Sequence, residues 1–244
     1  MYVYIGFFIQ MSTIESVVKT VTSDTYEKSC PLGDGISSVE ILETMGDDLT
    51  VVNAARVSFS KESLEMTTGD EKLINYLAKH NHISPFFHPQ IRFRIKMPIF
   101  VAREWYRHTI GFSRNEVSRR YIDSKPEVFI PTELRERDER LKQGSKDTSV
   151  SDALVYQKLK EVSELSLQCY EYLLSESVAP EMARIILPQS MYTEFIETAS
   201  LYAYARLCKL RLDPHAQKEI RDYANAISHL LEKRFPISWK ALMN

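Results

Sequence analysis

PQIRFRIKM, Pro89 to Met97, sets Ile91, Phe93, Ile95 and Met97 in strict alternation with Gln90, Arg92, Arg94 and Lys96. That period of two predicts a strand with one apolar and one basic face. Pro98 suits the first turn of a helix, and IFVAREWYRH is expected to continue as one. Upstream, Leu49, Val52, Ala54 and Ala55 share a face and predict a helix from Gly46 to Val57. Leu73, Ile74 and Leu77 predict a second, from Asp70 to His80.

Downstream of the strand the chain reads as extended over 124–134, broken by Pro126 and Pro131, and then as a charged, solvated segment over 135–148. Ser149 to Asp152 forms a capping box for a long helix reaching about Leu174. Pro180 opens a short helix through Leu187, Tyr192 to Leu207 is expected to form another, and Asp213-Pro214 to start the last. The fold class expected is α+β with a helix-rich C-terminal half. Residues 1–35 form an N-terminal extension and loop, and 36–244 a single domain. There is no repeat and no low-complexity tract.

The 244 residues carry 44% hydrophobic and 26% charged side chains, an ordinary globular composition. The net charge of −2 gives no global attraction to nucleic acid or to a membrane surface, so neither is expected as a partner. Cys30, Cys169 and Cys208 form no CxxC pair, which favours a reducing compartment and a cytoplasmic location. The opening MYVYIGFFIQ is shorter than the roughly 20 apolar residues of a membrane span and lacks a basic start. It reads as a short strand or an extension ahead of Met11.

RHTIGFSRNEVSRRY, Arg107 to Tyr121, is the densest chemistry in the chain. Arg103, Arg107, Arg114, Arg119 and Arg120 stand among Glu104, His108, Asn115, Glu116 and Ser118. Guanidinium groups bind phosphate in a bidentate fork, Asn and Ser read a heterocycle, and Glu accepts from a ribose hydroxyl or a ring N–H. A solvated helix face followed by a surface loop is the plain alternative, and single-stranded nucleic acid a minor one. His80, His82 and His88 have no acidic or Cys partner in phase, so no metal site is expected. No glycine-rich dinucleotide turn or phosphate loop is present.

The order Arg107-His108, Ser113, Asn115-Glu116, Ser118, Arg120-Tyr121 resembles the signature of the flavin-dependent thymidylate synthases. AARVSF (54–59), KHNHISPFFH (79–88), PIFVAREWYRH, ARIILP (183–188) and LRLDPHAQ (210–217) are similar to segments of the same family. The resemblance spans residues 46–240. It implies a small antiparallel sheet, a homotetramer with active sites shared between subunits, and conversion of dUMP to dTMP. Methylenetetrahydrofolate would be the carbon donor, and FAD reduced by NADPH the hydride carrier.

Position by position, the resemblance implies that Arg211 and Ser118 act on the uracil, with Arg211 favouring ionisation at N3. Glu104, Arg107, Glu116, Ser118, Arg119, Arg120, Arg184 and Arg211 would bind nucleotide. Ser84, Arg107, His108, Thr109, Glu116, Ser200, Tyr202, Arg206, His82 and His215 would bind the flavin. Thr109 stands where the family has a third basic residue, one extra residue precedes Ser113, and Ser200, Tyr202 and Arg206 replace the expected Asn, Arg and Asn. No cysteine falls in the matched segments, which disfavours a cysteine nucleophile. Two alternatives remain open: C5 modification of UMP or another pyrimidine nucleotide, and a non-catalytic nucleotide- or RNA-binding protein on the same scaffold.

Overall fold

The computed structural model describes residues 27–139 and 144–244; the expectations for the opening ten residues fall outside that range. The alternating stretch is strand β3, Gln90–Pro98, with Ile91, Phe93, Ile95 and Met97 fully buried. It lies at the centre of a five-stranded antiparallel sheet, in the order β1-β2-β3-β7-β4. Its partners are β2 (Ser38–Met45) on one side and β7 (Tyr192–Ser200) on the other. The edges are β1 (Lys28–Ser29) and β4 (Phe112–Glu116).

Helices cover the apolar face of the sheet. They are α1 (Asp48–Arg56), α2 (Thr68–Lys79), α3 (Ile99–Trp105), α6 (Leu201–Arg211), α7 (Lys218–Arg234) and α8 (Pro236–Met243). Between β4 and β7 come a hairpin of β5 (Arg135–Arg137) and β6 (Ser145–Ser149), then α4 (Ala153–Ser175) and α5 (Pro180–Ala183). The core joins the sheet face to Trp105, Tyr204, Tyr223, Phe235 and Trp239. Burying each large apolar side chain contributes about 1.5–3 kcal/mol.

Caps set the helix starts. Asp47 and Thr67 each form a reciprocal capping box at α1 and α2; the box expected from Ser149 to Asp152 does not form, because Ser149 ends a strand and Asp152 itself caps α4 through Leu154 N. The buried Asp48 carboxylate of α1 accepts from Ile237 N and Ser238 N at 2.9 Å, closing the first turn of α8 from another element.

Several expectations are corrected. Tyr192 to Leu207 is not one helix: Tyr192–Ser200 is β7 and the helix begins at Leu201, where the Ser200 hydroxyl accepts from Ala203 N. Phe195, Glu197 and Ala199 face the core, and the acid among them masks the alternation. The helix after Pro98 ends at Trp105, leaving Arg107 and His108 in a turn. Phe112–Glu116, given no secondary structure from the sequence, pairs with β7 as a strand. The charged segment at 135–148 folds in part as the β5–β6 hairpin, held by a bidentate ion pair from Arg135 to Glu219 at 2.7 and 3.0 Å. The last helix starts at Lys218 and divides at Pro236, whose ring removes a backbone donor.

Candidate active site

The signature stretch turns a corner between α3 and β4. Arg107 N and His108 N donate to Glu104 O and Trp105 O at the helix end, and Phe112 N donates to Thr109 O at 3.3 Å. Gly111 takes φ +81°, the left-handed region where a side chain is strained. A Cβ there would also approach Ala203 Cβ of α6 at 3.3 Å.

Beyond β4 a cleft of about 580 Å³ opens, lined by Glu116, Ser118, Arg119, Arg120, Arg184 and Thr193 among others. Three arginines therefore line it together with the hydroxyl residues Ser118 and Thr193 and the carboxylates Glu116 and Glu181. Arg120 Nε donates to Ser118 Oγ at 3.1 Å, and its guanidinium lies 5.0 Å from the Tyr121 ring centre. Arg119 bonds Ser124 O, and Arg184 Nε donates to Glu181 O at 3.2 Å. The Glu116 carboxylate accepts from Thr193 Oγ1 at 2.5 Å, which fixes it at the mouth of the cleft.

A second cluster forms behind the turn. Arg211, at the end of α6, donates from Nε to His108 Nε2 at 2.9 Å and from Nη2 to Glu104 O at 3.2 Å. Its Nη1 lies 3.7 Å from the Glu104 carboxylate. Burial, and then the charges of Arg211, Arg114, Arg206 and Arg107, push His108 down to about 4. At neutral pH the ring is therefore an uncharged acceptor.

A third hollow, of about 500 Å³, lies between α2, α6 and α8 and is lined by Lys79, Asn81, Ile83, Tyr202, Arg206 and Lys209 among others. Tyr202 packs edge-on against Phe87 at 5.3 Å. Exposed Ser84 opens the short turn beside it, and His82 stands edge-on to Tyr76 at 6.0 Å. Ser200 is buried and occupied as the cap of α6, while His215 and Thr109 are exposed.

The residues expected at the site thus fall into groups: Glu116, Ser118, Arg119, Arg120 and Arg184 in the cleft, Glu104, His108 and Arg211 in the cluster, Tyr202 and Arg206 in the hollow. Arg211 does not line the cleft that holds Ser118 and Arg120. Sequence reasoning passes over Lys79, Asn81, Lys209 and Thr193. Lys79 and Asn81 are visible in the KHNH run, but Thr193 meets Glu116 only through pairing of β4 with β7.

The family model described as thymidylate synthase complementing protein matches residues 40–237. A flavin-dependent thymidylate synthase of Thermus thermophilus is 41% identical over 203 residues, 83% of this chain and 74% of that protein. That of Wolbachia pipientis wMel is 34% identical over 236 residues, 95% of this chain and 82% of its own length. Among solved structures, the UMP/dUMP methylase PolB of Streptomyces cacaoi bound with 5-Br dUMP superposes with a TM-score of 0.74 at 30% identity, covering 84% of this chain and 94% of that one. The same methylase bound with 5-Br UMP gives 0.70.

Proposed function

Because the chain belongs to the family of flavin-dependent thymidylate synthases, we propose that it methylates dUMP at C5 to give dTMP. Methylenetetrahydrofolate supplies the carbon and FAD, reduced by NADPH, the hydride. The uracil exchanges its C5 proton for the methylene carbon, tetrahydrofolate leaves, and one hydride per turnover reduces that carbon to the methyl group. The observation that carries this reading is the cleft that Arg119, Arg120 and Arg184 line together with Ser118 and Glu116.

In that cleft the guanidinium groups bind the nucleotide phosphate as forks, Ser118 fixes the ring, and Glu116 takes a ribose hydroxyl. Arg211 favours the N3-ionised uracil by charge, and His108 and Glu104 hold its guanidinium in place. The hollow between α2, α6 and α8 suits a flavin dinucleotide: Lys79, Arg206 and Lys209 offer cations to a pyrophosphate, Asn81 an amide, and Tyr202 a ring face. The family resemblance assigns Arg107, His108, Thr109, Ser84, His82, Ser200 and His215 to the flavin as well, though none of them lines this hollow in the single chain. A bound flavin supplies the redox chemistry, while these side chains bind and orient it.

Two features support a homotetramer with shared sites. Arg211 and the Ser118–Arg120 pair lie on different surfaces of one chain. Val162 and Leu165 of α4, and Met182 and Ile185 beside it, are 58–81% exposed, an apolar face that a second subunit would cover. The free cysteines suit a cytoplasmic location, and among the described residues no helix is long and apolar enough to cross a membrane. A second reading, that UMP is also methylated, is favoured by the neighbour bound with either 5-Br nucleotide.

The purified chain given FAD should show flavin absorbance bands that shift when dUMP is added. A colourless protein after FAD treatment would overturn the flavin assignment.

A further inference from the structure

Glu197 stands fully buried on the core face of β7, with Phe93 of β3 and Arg114 of β4 opposite it in the sheet. Three elements converge on its carboxylate. Trp105, the last residue of α3, donates its indole N–H to both oxygens at 3.3 Å. Arg114 donates its Nε–H to one of them in an ion pair. The buried hydroxyl of Tyr204, on α6, lies beside it.

These three elements also carry the site. The Arg107–His108 turn leaves the end of α3, Glu116 and Ser118 follow Arg114, and Arg206 and Arg211 follow Tyr204 along α6. Burial pushes the Glu197 acid up, and Arg114 opposes that shift. Exchanging a buried ion pair for well-packed apolar side chains is often neutral or stabilising, so stability alone does not account for an acid here. Its neighbours on the same strand face, Phe195 and Ala199, are apolar. What an apolar side chain lacks is direction: an indole N–H and a guanidinium N–H bind a carboxylate only within a narrow range of angles. Arg114 is further held 4.7 Å from the Phe112 ring centre and 5.5 Å from that of Tyr106.

We infer that Glu197 is a positioning residue, a latch that fixes the end of α3 and strand β4 to each other beside α6. It thereby holds the Glu116–Ser118–Arg120 group and the Arg211–His108 pair, each on its own surface of the chain, in fixed positions on the sheet. The latch is a property of the fold, while its effect on turnover rests on the dUMP reading.

Two variants test it, Glu197→Gln and the apolar double replacement Arg114→Met with Glu197→Leu. Hydrogen exchange of the full chain should be at least tenfold faster across residues 105–118, with β2 and β3 unchanged. The KM for dUMP should rise about tenfold, whereas mere loss of folded molecules would scale kcat and leave KM alone. Exchange over 105–118 within twofold of the parent, exchange raised evenly across the sheet, or an unchanged KM each overturns the proposal. If neither variant folds, Trp105→Phe keeps the ring, removes the indole N–H, and is read by the same criteria. A parent chain that binds no dUMP would remove the functional reading and leave the exchange measurement to decide the latch.

Discussion

Arg211 Nε donates to His108 Nε2 at 2.9 Å, joining the end of α6 to the turn after α3 across 103 positions of sequence. The bond requires an unprotonated Nε2. His108 falls from 6.5 to about 4 through burial and the surrounding guanidinium groups, so its folded value lies below its unfolded one. Between about pH 6.5 and about 4 the unfolded chain takes up the proton first. The stability from this contact is whole above that window and is lost as the pH falls through it. His108→Gln keeps an acceptor that does not titrate. Its thermal midpoint should decline less than the parent's between about pH 7 and 4, and parallel declines would refute the assignment.

Arg120→Ala and Arg184→Ala should each raise the Kd for dUMP by about 10- to 100-fold, since a hydrogen bond to a charged group is worth about 1.5–3 kcal/mol. Arg184→Lys should recover only part of the loss, because an ammonium keeps the charge without the planar fork. Calorimetric titration with dUMP decides this. Unchanged affinity in both alanine variants would move the phosphate out of the cleft.

Asp48→Ala should destabilise the chain by about 1–3 kcal/mol, measured by chemical denaturation. The carboxylate is buried and accepts from Ile237 N and Ser238 N, so its removal strands two donors at the start of α8. Asp48→Asn, which keeps an acceptor oxygen, should lose less. Equal losses in the two variants would show that the cap is not the cause.

Much of the frame is legible in the residues alone. β3, α1, α2 and α4 carry clear periods or caps, and their predicted bounds lie close to the observed ones. β7 reads as helix because its core face holds Glu197 and because it runs directly into α6. β4 escapes as an edge strand, since a polar, arginine-rich segment gives no alternation to read. At the site, residue types are legible but groupings are not. The contact of Arg114 with Glu197 spans 83 positions and depends on the register of two strands, neither of them solidly apolar. The separation of Arg211 from the Ser118–Arg120 cleft depends likewise on where α6 ends relative to β4.

The central claim is C5 methylation of dUMP supported by Arg211, and tritium release from dUMP labelled at C5 tests it most directly. With FAD, NADPH and methylenetetrahydrofolate, the parent chain should release tritium as dTMP forms. Arg211→Ala should retain bound flavin yet lose at least about 100-fold in kcat, the scale of losing a preorganised charge-stabilising donor. Release from labelled UMP but none from dUMP, or near-parental turnover by Arg211→Ala, would contradict the account.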